Sequence, residues 1–109
     1  MDVKRFDIAA SEASELIKAL AHPARLRIVC ALAGQECSVT SLAETVGVTI
    51  STVSRHLVLL RKDRIVTARR SHQTVFYSLS DENIGKFVII LAETFCSATP
   101  PKKPKGPTL

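Results

Sequence analysis

Ser38-Val39-Thr40-Ser41-Leu42-Ala43-Glu44-Thr45-Val46-Gly47-Val48-Thr49-Ile50-Ser51-Thr52-Val53-Ser54-Arg55-His56-Leu57-Val58-Leu59-Leu60-Arg61-Lys62 decides the fold. Ser38 is a good cap for a short helix with Leu42, Ala43 and Val46 inward, and Gly47 closes it. Thr49 caps a second helix whose buried stripe is Val53, Leu57 and Leu60. At about 100° per residue, Ser51, Arg55, Val58 and Lys62 face roughly the other way.

Upstream, Ala13, Leu16, Ile17 and Leu20 predict a first helix over about residues 8–21. His22-Pro23 interrupts it, and Pro23 suits the first position of a new helix. Leu26, Val29, Cys30 and Ala33 line one face of that helix, and Gly34 ends it. Downstream, Ile65 to Arg70 and Thr74 to Leu79 read as strands joined by Ser71-His72-Gln73. Asp81 opens a last helix to about Ser97, with Ile84, Phe87, Val88, Leu91 and Phe95 as its stripe. Ile89, Ile90 and Ala92 make it apolar nearly all round, so it wants burial on two sides, the second most simply supplied by another subunit.

Two short helices joined by a Gly-containing turn and followed by a hairpin give the order of a winged helix-turn-helix. The expected architecture is mainly α, five helices with a small β-hairpin wing, as a homodimer. Residues 1–97 form the DNA-binding and dimerisation domain, and 98–109, rich in Pro and Lys, a disordered basic tail. The 109-residue chain is 46% hydrophobic, a globular balance that excludes a disordered protein, and one domain of this size gains from dimerisation. No apolar run reaches the roughly 18 residues of a membrane span, and Met1-Asp2-Val3-Lys4-Arg5 leads into no signal core. The protein is therefore expected in the cytoplasm, away from membranes, with its thiols reduced.

Net charge is +5, but Lys102, Lys103 and Lys105 of the tail supply three of those charges. The local run is more telling: Arg55, Arg61, Lys62, Arg64, Arg69 and Arg70 against the single acid Asp63. It is either a phosphate-attracting surface or a solvated basic face. In a helix-turn-helix the second helix enters the major groove, with its N-terminal residues at base edges. Thr49, Ser51, Thr52, Ser54 and Arg55 fit that role, with Arg69, Arg70, His72 and Gln73 as wing contacts to double-stranded operator DNA. Arg55 either pairs bidentately with guanine or touches only phosphate. His56 lies nearer the buried edge and is expected to pack or cap.

Ala19-Leu20-Ala21-His22-Pro23-Ala24-Arg25-Leu26-Arg27-Ile28, Ser38-Val39, Leu42-Ala43, Ser54-Arg55-His56-Leu57, Leu59-Leu60-Arg61 and Phe76-Tyr77-Ser78-Leu79 together resemble the ArsR/SmtB family, over about residues 12–97. The resemblance implies a homodimeric repressor, joined through its first and last helices, that releases DNA when an inducer binds. Many relatives end the recognition helix with Gly where this chain has Arg64. A left-handed Arg costs ~1 kcal/mol relative to Gly, so this helix is expected to end in a different geometry.

The family's Cys-x-Cys arsenic or cadmium site falls at Ser38 and Thr40, which offer no thiolate, with Cys37 one residue early. Its zinc site on the last helix retains Asp81 and Glu93, but Asn83 holds the first His position. No metal or other cofactor is expected. Leu26-Arg27-Ile28-Val29-Cys30 and Phe95-Cys96 resemble the paired cysteines of the BigR/SqrR/HlyU branch. That branch implies that Cys30 and Cys96 meet within one subunit and are linked by oxidants or reactive sulfur species. The plainer readings are a small core residue for Cys30, a chance thiol for Cys96, and packing for Cys37. A metal or metalloid sensor built unconventionally from Cys30, Cys37, Cys96 and a His is the alternative. A thiol oxidoreductase is disfavoured, since there is no Cys-x-x-Cys and Cys30 sits in an apolar stripe, and no enzyme is expected. A winged helix used only for protein contacts would show no specific DNA affinity.

Overall fold

The computed structural model describes residues 2–96; the tail 98–109 lies outside the described residues. The elements are α1 Val3–Leu20, α2 Pro23–Ala31, β1 Cys37–Ser38, α3 Val39–Val46, α4 Ile50–Lys62, β2 Val66–Ser71, β3 Thr74–Leu79 and α5 Glu82–Phe95. Five helices and the hairpin are as expected. No described helix is long and apolar enough to cross a membrane.

α1 starts five residues earlier than the apolar stripe suggests, because the Asp2 carboxylate accepts the Lys4 N–H at 3.0 Å and caps the helix there. His22 caps α2 in the same way, its Nδ1 accepting the Ala24 N–H at 3.2 Å, with Pro23 in the first turn. The hairpin gains a third strand that the sequence did not announce. β1 pairs with β3 through Cys37↔Tyr77 and Ser38↔Phe76, giving the antiparallel order β1-β3-β2. β2 and β3 run in register from Val66↔Leu79 to Ser71↔Thr74. The hairpin connection is thus the pair His72-Gln73, one residue shorter than expected, with His72 at φ 59°.

The core forms where α2, α3, α4 and the sheet meet. Ile28, Val29 and Leu32 pack with Leu42, with the expected stripe Val53, Leu57 and Leu60, and with Ile65, Val66 and Val88. Each large side chain buried this completely contributes roughly 1.5–3 kcal/mol. On α5 only Val88 of the expected stripe is buried; Ile84 and Leu91 are half-buried, and Phe87 and Phe95 face out. A single chain offers α5 one neighbouring surface, mostly α2, so the rest of its apolar girth is left uncovered.

The end of α4 corrects the sequence reading. Arg64 is left-handed after all, at φ 62°. The Ile65 N–H donates to Leu60 O at 2.9 Å and the Arg64 N–H to Arg61 O at 3.0 Å, the bond pair of a Schellman motif. Buried Ile65 and Leu60 supply its apolar contact. The chain must turn sharply to place Ile65 in the core and start β2, and that requirement overrides the backbone preference of arginine.

Candidate DNA interface and thiol pair

The helix pair is rigidly started and stopped. Ser38 Oγ accepts the Ser41 N–H at 3.2 Å to begin α3. Gly47, at φ 80°, ends it with its N–H on Ala43 O at 2.8 Å; this left-handed turn is where a side chain would be strained. Thr49 then caps α4: its Oγ1 accepts the Thr52 N–H at 3.1 Å and donates to Thr52 Oγ1 at 2.9 Å. With Val53, Leu57 and Leu60 buried, α4 turns Ser51 and Arg55 outward and leaves Ser54 half-buried. A polar, partly cationic face with small side chains near its N-terminus lies opposite the core stripe, the form a groove-reading helix needs.

His56 packs, as expected. Its ring lies 4.7 Å from that of His22, tilted by 56°. Its Nδ1 is buried without a hydrogen-bond partner, as is Arg25 Nε. Burial first, then the neighbouring His22, Arg25 and Arg55 charges, push its pKa below the ordinary 6.5. Helix α4 is thereby packed on the cap of α2 through His56 and His22.

At the wing, Arg70, His72 and Gln73 are exposed around the hairpin tip. Arg69 is not free. Its Nε donates to Glu36 Oε2 at 2.6 Å and its Nη2 to Glu36 Oε1 at 2.7 Å, while its guanidinium lies 5.1 Å from the centre of the Phe76 ring. The hydrogen bonds from Arg69 hold the Glu36 carboxyl below the usual carboxylate range. Glu36 escaped sequence reasoning: it is 33 residues from Arg69, and only the pairing of β1 with β3 reveals their proximity.

Cys30 and Cys96 line one open cavity of about 570 Å³ between α2, the end of α3 and α5, with Leu26, Val46, Val88, Leu91 and Phe95 around them. Cys30 is half-buried and its Sγ–H donates to Val88 O at 3.9 Å; Cys96 is exposed at the C-cap of α5. Burial first, then the charge of Cys96, raises the Cys30 thiol pKa. Cys37 is buried elsewhere, with its Sγ–H on Ala31 O at 3.8 Å, and burial raises its pKa too. All three cysteines are free thiols.

Residues 22–68 match the model of the arsR family of bacterial regulatory proteins. The chain is 35% identical over 98 residues to the transcriptional activator HlyU of Vibrio cholerae, covering 90% of this chain and 91% of that protein. It is 38% identical over 88 residues to the biofilm growth-associated repressor of Xylella fastidiosa, covering 81% of this chain and 77% of that one. Among solved structures, the BigR repressor of Xylella fastidiosa superposes with a TM-score of 0.79 at 35% identity, over 88% of this chain and 98% of that one. Reduced HlyU from Vibrio cholerae gives 0.77 at 34%, over 85% and 98%. With a winged helix-turn-helix fold and relatives matched over most of both lengths, this chain belongs to the ArsR family of DNA-binding transcriptional regulators.

Proposed function

We propose that this protein is a homodimeric cytoplasmic repressor that leaves its operator when Cys30 and Cys96 are joined by an oxidant or a reactive sulfur species. The observation that carries the reading is the shared cavity: both thiols line it, one on α2 and the other at the end of α5. A solved relative is described in its reduced form, which fits a regulator whose redox state matters. The DNA-facing set is Thr49, Ser51, Thr52, Ser54 and Arg55 on and before α4, with Arg70, His72 and Gln73 at the wing. Dimerisation is supported by the apolar side chains that α1 and α5 leave exposed, Phe6, Ile17, Ile90 and Phe95 among them.

The chemistry follows from the two environments. Cys96 is exposed and meets the oxidant first, whereas Cys30 is desolvated and a poorer thiolate. With a polysulfide, the Cys96 thiolate attacks the terminal sulfane sulfur, breaks its S–S bond, expels the polysulfide shortened by one sulfur, and becomes a persulfide. The Cys30 thiolate then attacks the inner sulfur and expels hydrosulfide. The two thiols lose two electrons and two protons, and one sulfane sulfur is reduced to the sulfide level. The bridge ties α5 to α2, and because α5 is also the proposed dimer contact, the spacing of the two recognition helices changes. A tenfold fall in DNA affinity needs only about 1.4 kcal/mol of coupling.

The test uses a duplex selected from a random pool by the reduced wild-type protein. Polysulfide or peroxide releases it, reductant restores binding, and intact mass records the loss of two hydrogens. Cys30→Ser and Cys96→Ser stay bound under oxidant, while Cys37→Ser still responds. Release from both single serine variants refutes the thiol switch.

A further inference from the structure

The Glu36–Arg69 pair joins two parts of the fold that DNA binding must hold in register. Glu36 lies in the segment between α2 and β1, and that segment is tied to the end of α2 on both sides of Glu36. Gln35 Nε2 donates to Ala31 O at 3.0 Å, and Cys37 Sγ donates to the same oxygen at 3.8 Å. Arg69 lies in the middle of β2, opposite Phe76 of β3. Side chains alternate along a strand. Val66, packed in the core, therefore shares its face with Ala68 and Arg70, and Arg69 shares the opposite face with Thr67. On that outer face Thr67 Oγ1 and Ser78 Oγ lie 3.2 Å apart. Arg69 reaches from β2 across β3, over the Phe76 ring, to Glu36, the residue just before β1. The fork geometry takes two hydrogen bonds and fixes the guanidinium plane, so the pair sets an orientation as well as a distance.

We infer that Glu36 and Arg69 are positioning residues for the wing: they hold the hairpin against the α2–β1 segment, and Arg70 rather than Arg69 carries the wing's phosphate contact. The inference rests on the reading that the wing touches DNA. It assigns a role to Glu36, an acid that no groove-contact argument would single out, and it changes the role of Arg69.

The experiment measures the affinity of the full-length protein for the selected duplex and for a scrambled duplex across a salt series. Exposed ion pairs contribute little, so Glu36→Gln and Arg69→Ala each weaken the selected duplex only about 1.5- to 5-fold, and neither changes the salt slope. Arg70→Ala lowers the slope by about 0.9, the signature of one lost phosphate contact. The deciding variant exchanges the charges, Glu36→Arg with Arg69→Glu. It regains affinity relative to either single variant, although position 69 is then negative. The proposal is overturned if Arg69→Ala lowers the salt slope, if Glu36→Gln tightens binding or leaves it unchanged, or if the exchanged pair binds more weakly than both singles. If Arg70→Ala also leaves binding unchanged, the wing reading itself fails and the positioning role falls with it. Thermal midpoints of all variants are compared, and because the exchange restores the pair, it keeps the test decisive where a single variant loses stability.

Discussion

Arg64→Gly should stabilise this protein. Arg64 stands at φ 62°, where a β-carbon crowds the following carbonyl, which costs roughly 1–2 kcal/mol. Glycine removes that cost but gives the unfolded chain more freedom, which takes back about 0.5–1 kcal/mol. Taken at the middle of each range, the net gain is about 0.75 kcal/mol, and for a domain of this size that raises Tm by about 3–6 °C. The bonds that define the turn are unaffected, because none uses the Arg64 side chain: the Arg64 N–H donates to Arg61 O, the Ile65 N–H to Leu60 O, and the Arg64 carbonyl accepts the Ser80 hydroxyl at 2.6 Å. The side chain is exposed, so little packing is lost. Thermal unfolding followed by circular dichroism at fixed protomer concentration reads the change, the concentration being held because dimerisation would shift Tm. Arg64→Ala is the control: it removes the same charge but keeps the β-carbon and the penalty. If the glycine variant is no more stable than the alanine variant, the strain argument is wrong.

Arg55→Ala is expected to relax sequence discrimination by about 1–3 kcal/mol if its guanidinium reads a guanine; comparing selected with scrambled duplex checks this, and equal weakening of both reduces Arg55 to a phosphate contact. His56 makes stability fall on acidification. Its folded pKa is depressed, so the unfolded chain binds the proton first, and the stability present above about pH 6.5 is lost as pH drops below it. Chemical denaturation at pH 7.5 and pH 5.5 should show that loss shrinking in His56→Gln; identical losses in both proteins would mean that the imidazole is not the group responsible.

Local chemistry made the helix pair legible. Ser38 and Thr49 are caps whose reach is two or three residues, Gly47 is a left-handed stop, and Val53, Leu57 and Leu60 repeat at helical spacing. Each of these signals acts within one or two turns, so a linear reading contains all of it. The stripe of α5 was less legible. Phe87 and Phe95 belong to the same apolar pattern as Val88, yet they face out, because α5 is apolar on more sides than one chain can cover. The start of α1 was missed because Asp2 caps a helix whose first turns carry no buried stripe.

The thiol pair stands between these cases. Its positions were marked by resemblance, while spacing alone left Cys30 open as a core residue and Cys96 as a chance thiol; their common cavity depends on how α5 crosses α2. The sequence by itself determined the order of the five helices and the hairpin, the helix pair and the cationic character of the α4 face, because helix caps, periodicity and charge are local properties. Tertiary structure alone decided three further points. Arg64 adopts the left-handed turn, because Ile65 has to enter the core. Cys37 and Ser38 become a third strand, because β3 has an edge to pair. Arg69 is held by Glu36, because strand register brings together groups that the chain keeps 33 residues apart. In each, the energy comes from a partner distant in sequence, and no window along the chain contains both halves of the interaction.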